Sequence, residues 1–240
     1  MNKFIFDVDG TLTPSRGVID ARFKEFFLEF IHDNHTYLIT GSDYSKTLEQ
    51  LGAEICNNVK CIYNCSGNDV WVKGNNVKTT TWTLPEQPRD WLLKSLDSSK
   101  FVLRTGNHIE SRPGSVNFSI VGRNATMKER QLYVAWDKES GERQKLATEF
   151  NHLFHDLEAR VGGETGLDIY PRGKDKGQVV SDFTKEDKLY FFGDRMEPGG
   201  NDYPLAHAIT RRGNGMFVGV KHWQDTFERL AYYQEAGIAS

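Results

Sequence analysis

With 240 residues, 38% of them hydrophobic, and a formal charge of -3 with a pI near 6.2, the chain has room for one good core or two modest ones. That balance argues against a nucleic-acid partner or a polybasic membrane surface. No run approaches about 18 consecutive apolar residues, so no transmembrane helix is expected. The strand-forming start leaves no place for a signal peptide, and a cytoplasmic location is expected.

The first apolar run, residues 4–6, reads as a strand that delivers Asp7 and Asp9 into the turn Gly10-Thr11-Leu12-Thr13. Two carboxylates one residue apart on an extended backbone share a side at its carboxyl end. That arrangement suits phosphoryl transfer. Asp7 can attack phosphorus and hold the group covalently, while Asp9 manages the proton on the incoming or leaving oxygen. An anion attacking an anion calls for a divalent cation.

Residues 20–32 read as a helix with Phe23, Phe26, Phe27 and Phe30 on its core face, residues 36–40 as a strand, and residues 44–51 as a helix. Alternating strands and helices predict a parallel sheet with ligands at its carboxyl edge, where Thr40 and Ser42 of TGSD fall. Cys56, Cys61 and Cys65 are expected to be reduced and partly buried, since their spacing suits neither a disulfide framework nor a paired CxxC zinc site. Between about 78 and 125 the chain reads as short strands at 79–84, 100–106, 108–113 and 115–123, separated by Gly, Pro and Asn turns. Helices are expected near 126–136 and 141–160, then a strand at LDIYP, forming an antiparallel sheet with helices on one face. After PRGKDKG the first style resumes: a buried strand ends in Asp194, GMFVGV gives another, and a helix spans about 224–233. The expected organisation is a discontinuous core, 1–77 and 173–240, with an inserted module over 78–172.

Asp194 ends its strand as Asp7 ends the first, and the following loop brings in Asn201 and Asp202. Hard oxygen ligands of this kind suit Mg2+, assigned to Asp7, Asp194 and an oxygen of Asp9, with Asp202 orienting that shell. Lys176, in GKDKG, is the expected cation between Asp7 and the phosphoryl group, with Lys174 its neighbouring alternative. Thr40 supplies a hydroxyl and its following amides to the phosphate, with Ser42 the alternative. GNG at 213–215 reads as a turn, and His152 and His155 as surface or packing residues.

FDVDGTLTPSR, ESRPGSVNFSIVGRNATMKER, GGETGLDIYPRGKDK and FFGDRMEPGGND together resemble the eukaryotic-type phosphomannomutases, haloacid dehalogenase-like enzymes with a type IIB cap. The resemblance implies an α/β fold, a Rossmann-like parallel-sheet core with an inserted α+β cap. It also implies a mutase interconverting hexose 6-phosphate and hexose 1-phosphate, activated by a hexose 1,6-bisphosphate and serving mannose metabolism and GDP-mannose supply, and a homodimer formed through the cap. Arg16 matches the family's core arginine, and Arg112, Arg123 and Arg130 its three cap arginines. Asp168 matches an acid that bonds sugar hydroxyls. Arginine forks suit bidentate phosphate binding. The chain departs from the family at Gly166, where a serine is usual and Thr165 or the glycine amide stands in. It departs again at LAHAITRRG, which replaces the loop for a second metal. A sugar phosphatase and a non-catalytic sugar-phosphate-binding protein are the alternative readings.

Overall fold

The computed structural model describes residues 1–239, which divide into two compact units, one of residues 1–79, 175–198 and 202–239, the other of 80–174 and 199–201. In chain order the elements are β1 (Asn2–Phe6), α1 (Ala21–Asp33), β2 (His35–Ile39), α2 (Tyr44–Asn58), β3 (Cys61–Asn64), β4 (Asp69–Val72), β5 (Asn75–Thr79), α3 (Glu86–Ser98), β6 (Ile109–Arg112), β7 (Ser115–Phe118), α4 (Met127–Ser140), α5 (Glu142–Leu153), β8 (Leu157–Gly162), β9 (Gly166–Pro171), β10 (Lys188–Gly193), α6 (Tyr203–Arg212), β11 (Gly215–Gly219) and α7 (Trp223–Glu235). Among the described residues no helix is long and apolar enough to cross a membrane.

In the first unit the strand order is β11-β10-β1-β2-β3-β4-β5, parallel from β11 to β3 and antiparallel beyond. Strands covered on both faces read as continuous apolar runs, as β1 and β10 do. Phe4 and Phe6 face one core and Ile5 and Phe191 the other. Phe6 stacks on Phe192 with centroids 4.9 Å apart, Phe4 on Tyr190 at 5.0 Å, and Phe27 and Phe30 of α1 meet them edge-on. At about 0.5–1.5 kcal/mol per pair beyond area burial, these contacts fix β1 against β10. Their register pairs Phe6 with Phe192, so both strands run out together, Asp7 one residue and Asp194 two residues beyond.

α1 starts at Asp20, whose carboxylate accepts the Arg22 and Phe23 amides at 3.0 and 3.1 Å. α2 starts at Asp43 in the same way and continues past the expected end at residue 51. Gly52, at φ 80° and ψ 159°, kinks it instead of terminating it. The antiparallel extension β4–β5 and helix α6 were not foreseen; α6 occupies the LAHAITRRG segment that replaces the second-metal loop. Gly213 ends α6 in a left-handed cap and Gly215 opens β11, which accounts for GNG as a turn.

The second unit holds an antiparallel sheet, β6-β7-β9-β8, covered by helices whose core includes Leu92, Phe118, Tyr133 and Phe150. Three expected elements fail here, those at 79–84, 100–106 and 141–160, and one helix was not foreseen. Residues 86–98 form α3, because Pro85 and Pro88 lie at the amino-terminal end of the helix, where a missing N–H costs no ladder bond. Residues 100–106 form no strand: the Arg104 guanidinium captures the carbonyls of Phe101, Leu103, Leu96 and Ser99, so those acceptors are lost to pairing. Only Thr79 of the stretch 79–84 lies in a strand. The helix expected over 141–160 stops at Leu153, and residues 157–162 become β8, whose Ala159 pairs with Ile169. α4 carries a capping box between Thr126 and Glu129.

Candidate active site

The acids foreseen at the carboxyl edge meet in the first unit. Asp7, Asp194 and Asp202 each present a carboxylate oxygen within 4.8 Å of the others. Lys176 Nζ donates to Asp7 Oδ1 at 2.5 Å and to Asp202 Oδ1 at 2.7 Å, with the lysine 1% exposed. Local structure explains how each arrives. Asp175 caps the 3-10 turn 176–182 by accepting the Gly177 amide, which presents Lys176 at its first position. Asp202 Oδ2 accepts the Arg195 amide at 3.0 Å and Asp202 N donates to Arg195 O, closing the loop after β10. Gly193 is needed there, because a Cβ would stand 2.6 Å from Asp202 Oδ2. Gly10, at φ +82°, brings backbone against Asp194, where a Cβ would lie 2.5 Å from Oδ2. Lys174 is exposed.

Three carboxylates face the Lys176 ammonium, with the partly exposed Arg195 guanidinium 3.5 Å from Asp194, so the cluster still carries net negative charge. Burial pushes the Asp7 carboxyl well above its ordinary value against the opposing pull of Lys176, and pushes Asp194 up to about 7, with the Asp202 charge adding to it. The Lys176 ammonium is held charged: burial opposes its charge, and Asp202 and Asp7 outweigh that. A largely buried, all-oxygen donor set with net negative charge fits a hard divalent cation.

The sign of the pH effect follows. Carboxyls whose folded pKa is raised keep protons that the unfolded chain releases, so the metal-free protein loses stability as pH rises through the window between about 4 and 7. Melting temperature in chelator is expected to fall from pH 5 to pH 8, by the equivalent of roughly 1–3 kcal/mol, with millimolar Mg2+ reversing the loss. In Asp194→Asn the slope flattens. A melting temperature independent of pH and Mg2+ over that range contradicts the charge accounting.

Asp9 is placed differently from its neighbours. Its Oδ1 accepts the Arg16 amide at 2.5 Å and Gln50 Nε2 at 3.0 Å, so of the backbone and side-chain oxygens foreseen for the metal these donors engage Oδ1. Arg16 is half-buried, with φ 57°. Thr40 is buried; its Oγ1 accepts the Ser42 amide at 3.1 Å, so one of the amides expected to serve a phosphate is engaged, while the hydroxyl hydrogen remains to donate. The Ser66 amide bonds Thr40 O and the Cys65 amide bonds Ser42 O. Cys65, Ser66 and Gly67 all have positive φ, a strained turn that straps the TGSD loop. Gln178 Nε2 donates to Ser66 O at 2.8 Å, linking this strap to the lysine segment. The three cysteines are buried and form no disulfide. His152 and His155 are exposed.

In the second unit Arg112 and Arg123 meet on Glu110, Arg112 Nη2 at 2.6 Å and Arg123 Nε at 3.0 Å. Burial opposes the Glu110 charge, but the two guanidiniums outweigh it and hold the carboxyl below its usual range. Asp168 accepts Asn117 Nδ2 at 2.7 Å and lies 3.6 Å from Arg112 Nη1. Arg130, 4% exposed, lies 3.7 Å from Glu164 Oε2. The sequence reading missed Glu110, Asn117 and Gln50. Glu110 shares a strand face with Arg112, Asn117 pairs with Asp168 in register, and Gln50 stands on the buried stripe of α2 with Thr47 and Leu51; each periodicity was available.

Gly166 has a steric origin: a Cβ there would meet Asn117 Nδ2 at 2.6 Å. Gly166→Ser is expected to displace Asn117, break its bond to Asp168 and destabilise the protein by about 1–3 kcal/mol, seen as a lower melting temperature. An unchanged melting temperature contradicts this packing.

An acid pair after β1, an acid after β10 beside it, and an inserted antiparallel module define the haloacid dehalogenase-like class. Solved structures agree on that fold. The chain is similar to the Plasmodium falciparum IMP-nucleotidase (TM-score 0.60, 14% identity, 97% of this chain and 68% of that one) and the Candida albicans trehalose-6-phosphate phosphatase C-terminal domain (TM-score 0.61, 17%, 88% and 73%). The family model for eukaryotic phosphomannomutase matches residues 23–232. Relatives include the phosphomannomutases of Drosophila melanogaster, 31% identical over 84% of both chains, and Encephalitozoon cuniculi, 29% identical over 95% of this chain and 91% of that one. The chain belongs to the eukaryotic phosphomannomutase family. Asp7 and Asp9 precede the matched span, and their place in the site rests on geometry.

Proposed function

We propose that this protein is a phosphohexose mutase that interconverts hexose 6-phosphate and hexose 1-phosphate, with mannose phosphates as its substrates, through an aspartyl phosphate on Asp7. The observation that carries this reading is the buried Asp7 carboxylate held 2.5 Å from Lys176, beside Asp194 and Asp202, in a chain of this family.

Asp7 attacks the phosphorus of a hexose 1,6-bisphosphate, the new Oδ–P bond forming as the sugar P–O bond breaks, and Asp9 gives its proton to the departing oxygen. Asp9 takes the proton from the free hydroxyl of a bound hexose monophosphate, that oxygen receives the phosphoryl group from Asp7, and the resulting bisphosphate turns over and returns its other phosphate to Asp7, leaving the isomeric monophosphate. Lys176 balances charge on Asp7 and on the transferring group, and the Thr40 hydroxyl donates to phosphate. Arg16, Arg112, Arg123 and Arg130 take the sugar's phosphate, with Glu110 holding two of those forks in place; Asp168 takes sugar hydroxyls. Asp7, Asp194 and Asp202, with the Asp9 carbonyl, would hold Mg2+, which supplies charge neutralisation to the phosphoryl oxygens. A cytoplasmic homodimer joined through the second unit completes the reading.

The test is to incubate the protein with mannose 1-phosphate, Mg2+ and a catalytic amount of glucose 1,6-bisphosphate. Mannose 6-phosphate is the expected product. Release of inorganic phosphate alone would make the protein a sugar phosphatase instead.

A further inference from the structure

Gln50 is fully buried in α2, a helix whose other buried positions carry Thr47, Leu51, Ile55 and Cys56. A primary amide withdrawn from water is costly unless its bonds are met; Oε1 has no hydrogen-bond partner among the described residues and every side-chain bond falls on Nε2, so the partners of that nitrogen define its use. Its Nε2 lies 3.0 Å from Asp9 Oδ1, 3.2 Å from Thr13 Oγ1 and 3.3 Å from Gly17 O. The Thr13 hydroxyl donates to Val8 O, so all three neighbours present acceptors to this end of the amide, which settles which end is nitrogen. The Gln50 main chain serves the same segment: its carbonyl accepts the Ile19 amide at 2.9 Å. One helical residue therefore gathers the whole stretch from Asp9 to Ile19.

At Asp9 the consequence is specific. The Arg16 amide and the Gln50 amide come from two different segments and converge on one oxygen, Oδ1. Two donors on a single carboxylate oxygen fix the plane of the group and assign the other oxygen to the reaction. The charged group next to Asp9 across the sheet is Asp194, at the end of β10, whose like charge pushes the carboxylate away instead of locating it. Location falls to the neutral donors.

We propose that Gln50 is a positioning residue for Asp9, locking the carboxylate through Oδ1 so that Oδ2 is the atom that exchanges a proton with the sugar oxygen. This rests on Asp9 acting as the acid and base of the mutase. When Asp7 takes a phosphoryl group from a bisphosphate, the sugar oxygen leaves as an alkoxide unless Oδ2 protonates it. A 4-nitrophenyl phosphate releases a phenolate that needs no proton.

The experiment compares these two donors by single-turnover phosphorylation of Asp7 in wild type, Gln50→Met, Gln50→Glu and Asp9→Asn. Both variants keep the side chain's length; Gln50→Met removes the donor, and Gln50→Glu exchanges the neutral amide N–H for a carboxyl group beside Asp9. Each is expected to lower the maximal rate with glucose 1,6-bisphosphate about 30- to 100-fold, with half-saturation changed less than about threefold. The rate with 4-nitrophenyl phosphate stays within about threefold of wild type, which also reports that the variant is folded. Equal losses with both donors, or no loss with either, overturn the proposal. If Asp9→Asn keeps the bisphosphate rate, the acid–base assignment of Asp9 falls and the proposal with it. If Asp9→Asn is selective and neither Gln50 variant is, the proposal alone fails.

Discussion

Asp7→Asn is expected to reduce mutase turnover by at least about 10,000-fold, because an amide cannot replace a carboxylate as the atom that bonds phosphorus. The fold should survive. Asp7 sits in a net-negative cluster, and its carboxyl is already driven toward the neutral form by burial. Replacing it with a neutral isostere removes one repelling charge and keeps a side-chain oxygen at the position that accepts from Lys176. In chelator the variant is therefore expected to melt no lower than wild type at pH 8. Loss of activity accompanied by a large fall in melting temperature would assign Asp7 to structure instead of chemistry.

The second large effect belongs to Lys176. Its side chain is withdrawn from water and supplies the one ammonium that bonds both Asp7 and Asp202. Lys176→Met leaves both carboxylates facing each other without it, and breaking a buried pair by removing one partner costs about 3–5 kcal/mol. For a chain of this length that corresponds to a fall in melting temperature on the order of 10 °C in chelator. Millimolar Mg2+ should recover much of that stability without recovering turnover, which is expected to stay about 1,000-fold down. Lys176→Arg should not rescue, because a planar fork cannot occupy a site closed around a single ammonium. Full activity in Lys176→Met would remove the lysine from the account.

The sheet core was legible because strands covered on both faces must be apolar throughout, and FIF and LYFF are. The candidate catalytic acids were legible for a related reason: each stands just past such a run, and a strand end fixes direction. The second unit was less so. α3 has a proline at its cap and another in its first turn and looks broken, although both stand where a helix tolerates them. Residues 100–106 have a strand's composition, and one arginine removes their carbonyls from pairing. In the site, the long-range partners were hidden by ordinary identity. Gln50, Glu110 and Asn117 are polar residues that usually face solvent; the structure buries Gln50 and Asn117 and half-buries Glu110, each against a candidate functional side chain. The GKDKG segment gave two lysines; the cap at Asp175 turns Lys176 inward and leaves Lys174 outside.

The most direct measurement is the site of covalent phosphate. Protein mixed with glucose 1,6-bisphosphate and Mg2+, quenched in acid and reduced with borohydride, should carry homoserine at position 7 by peptide mass spectrometry. Reduction at any other carboxylate, or at none while mannose 1-phosphate is still isomerised, contradicts the account.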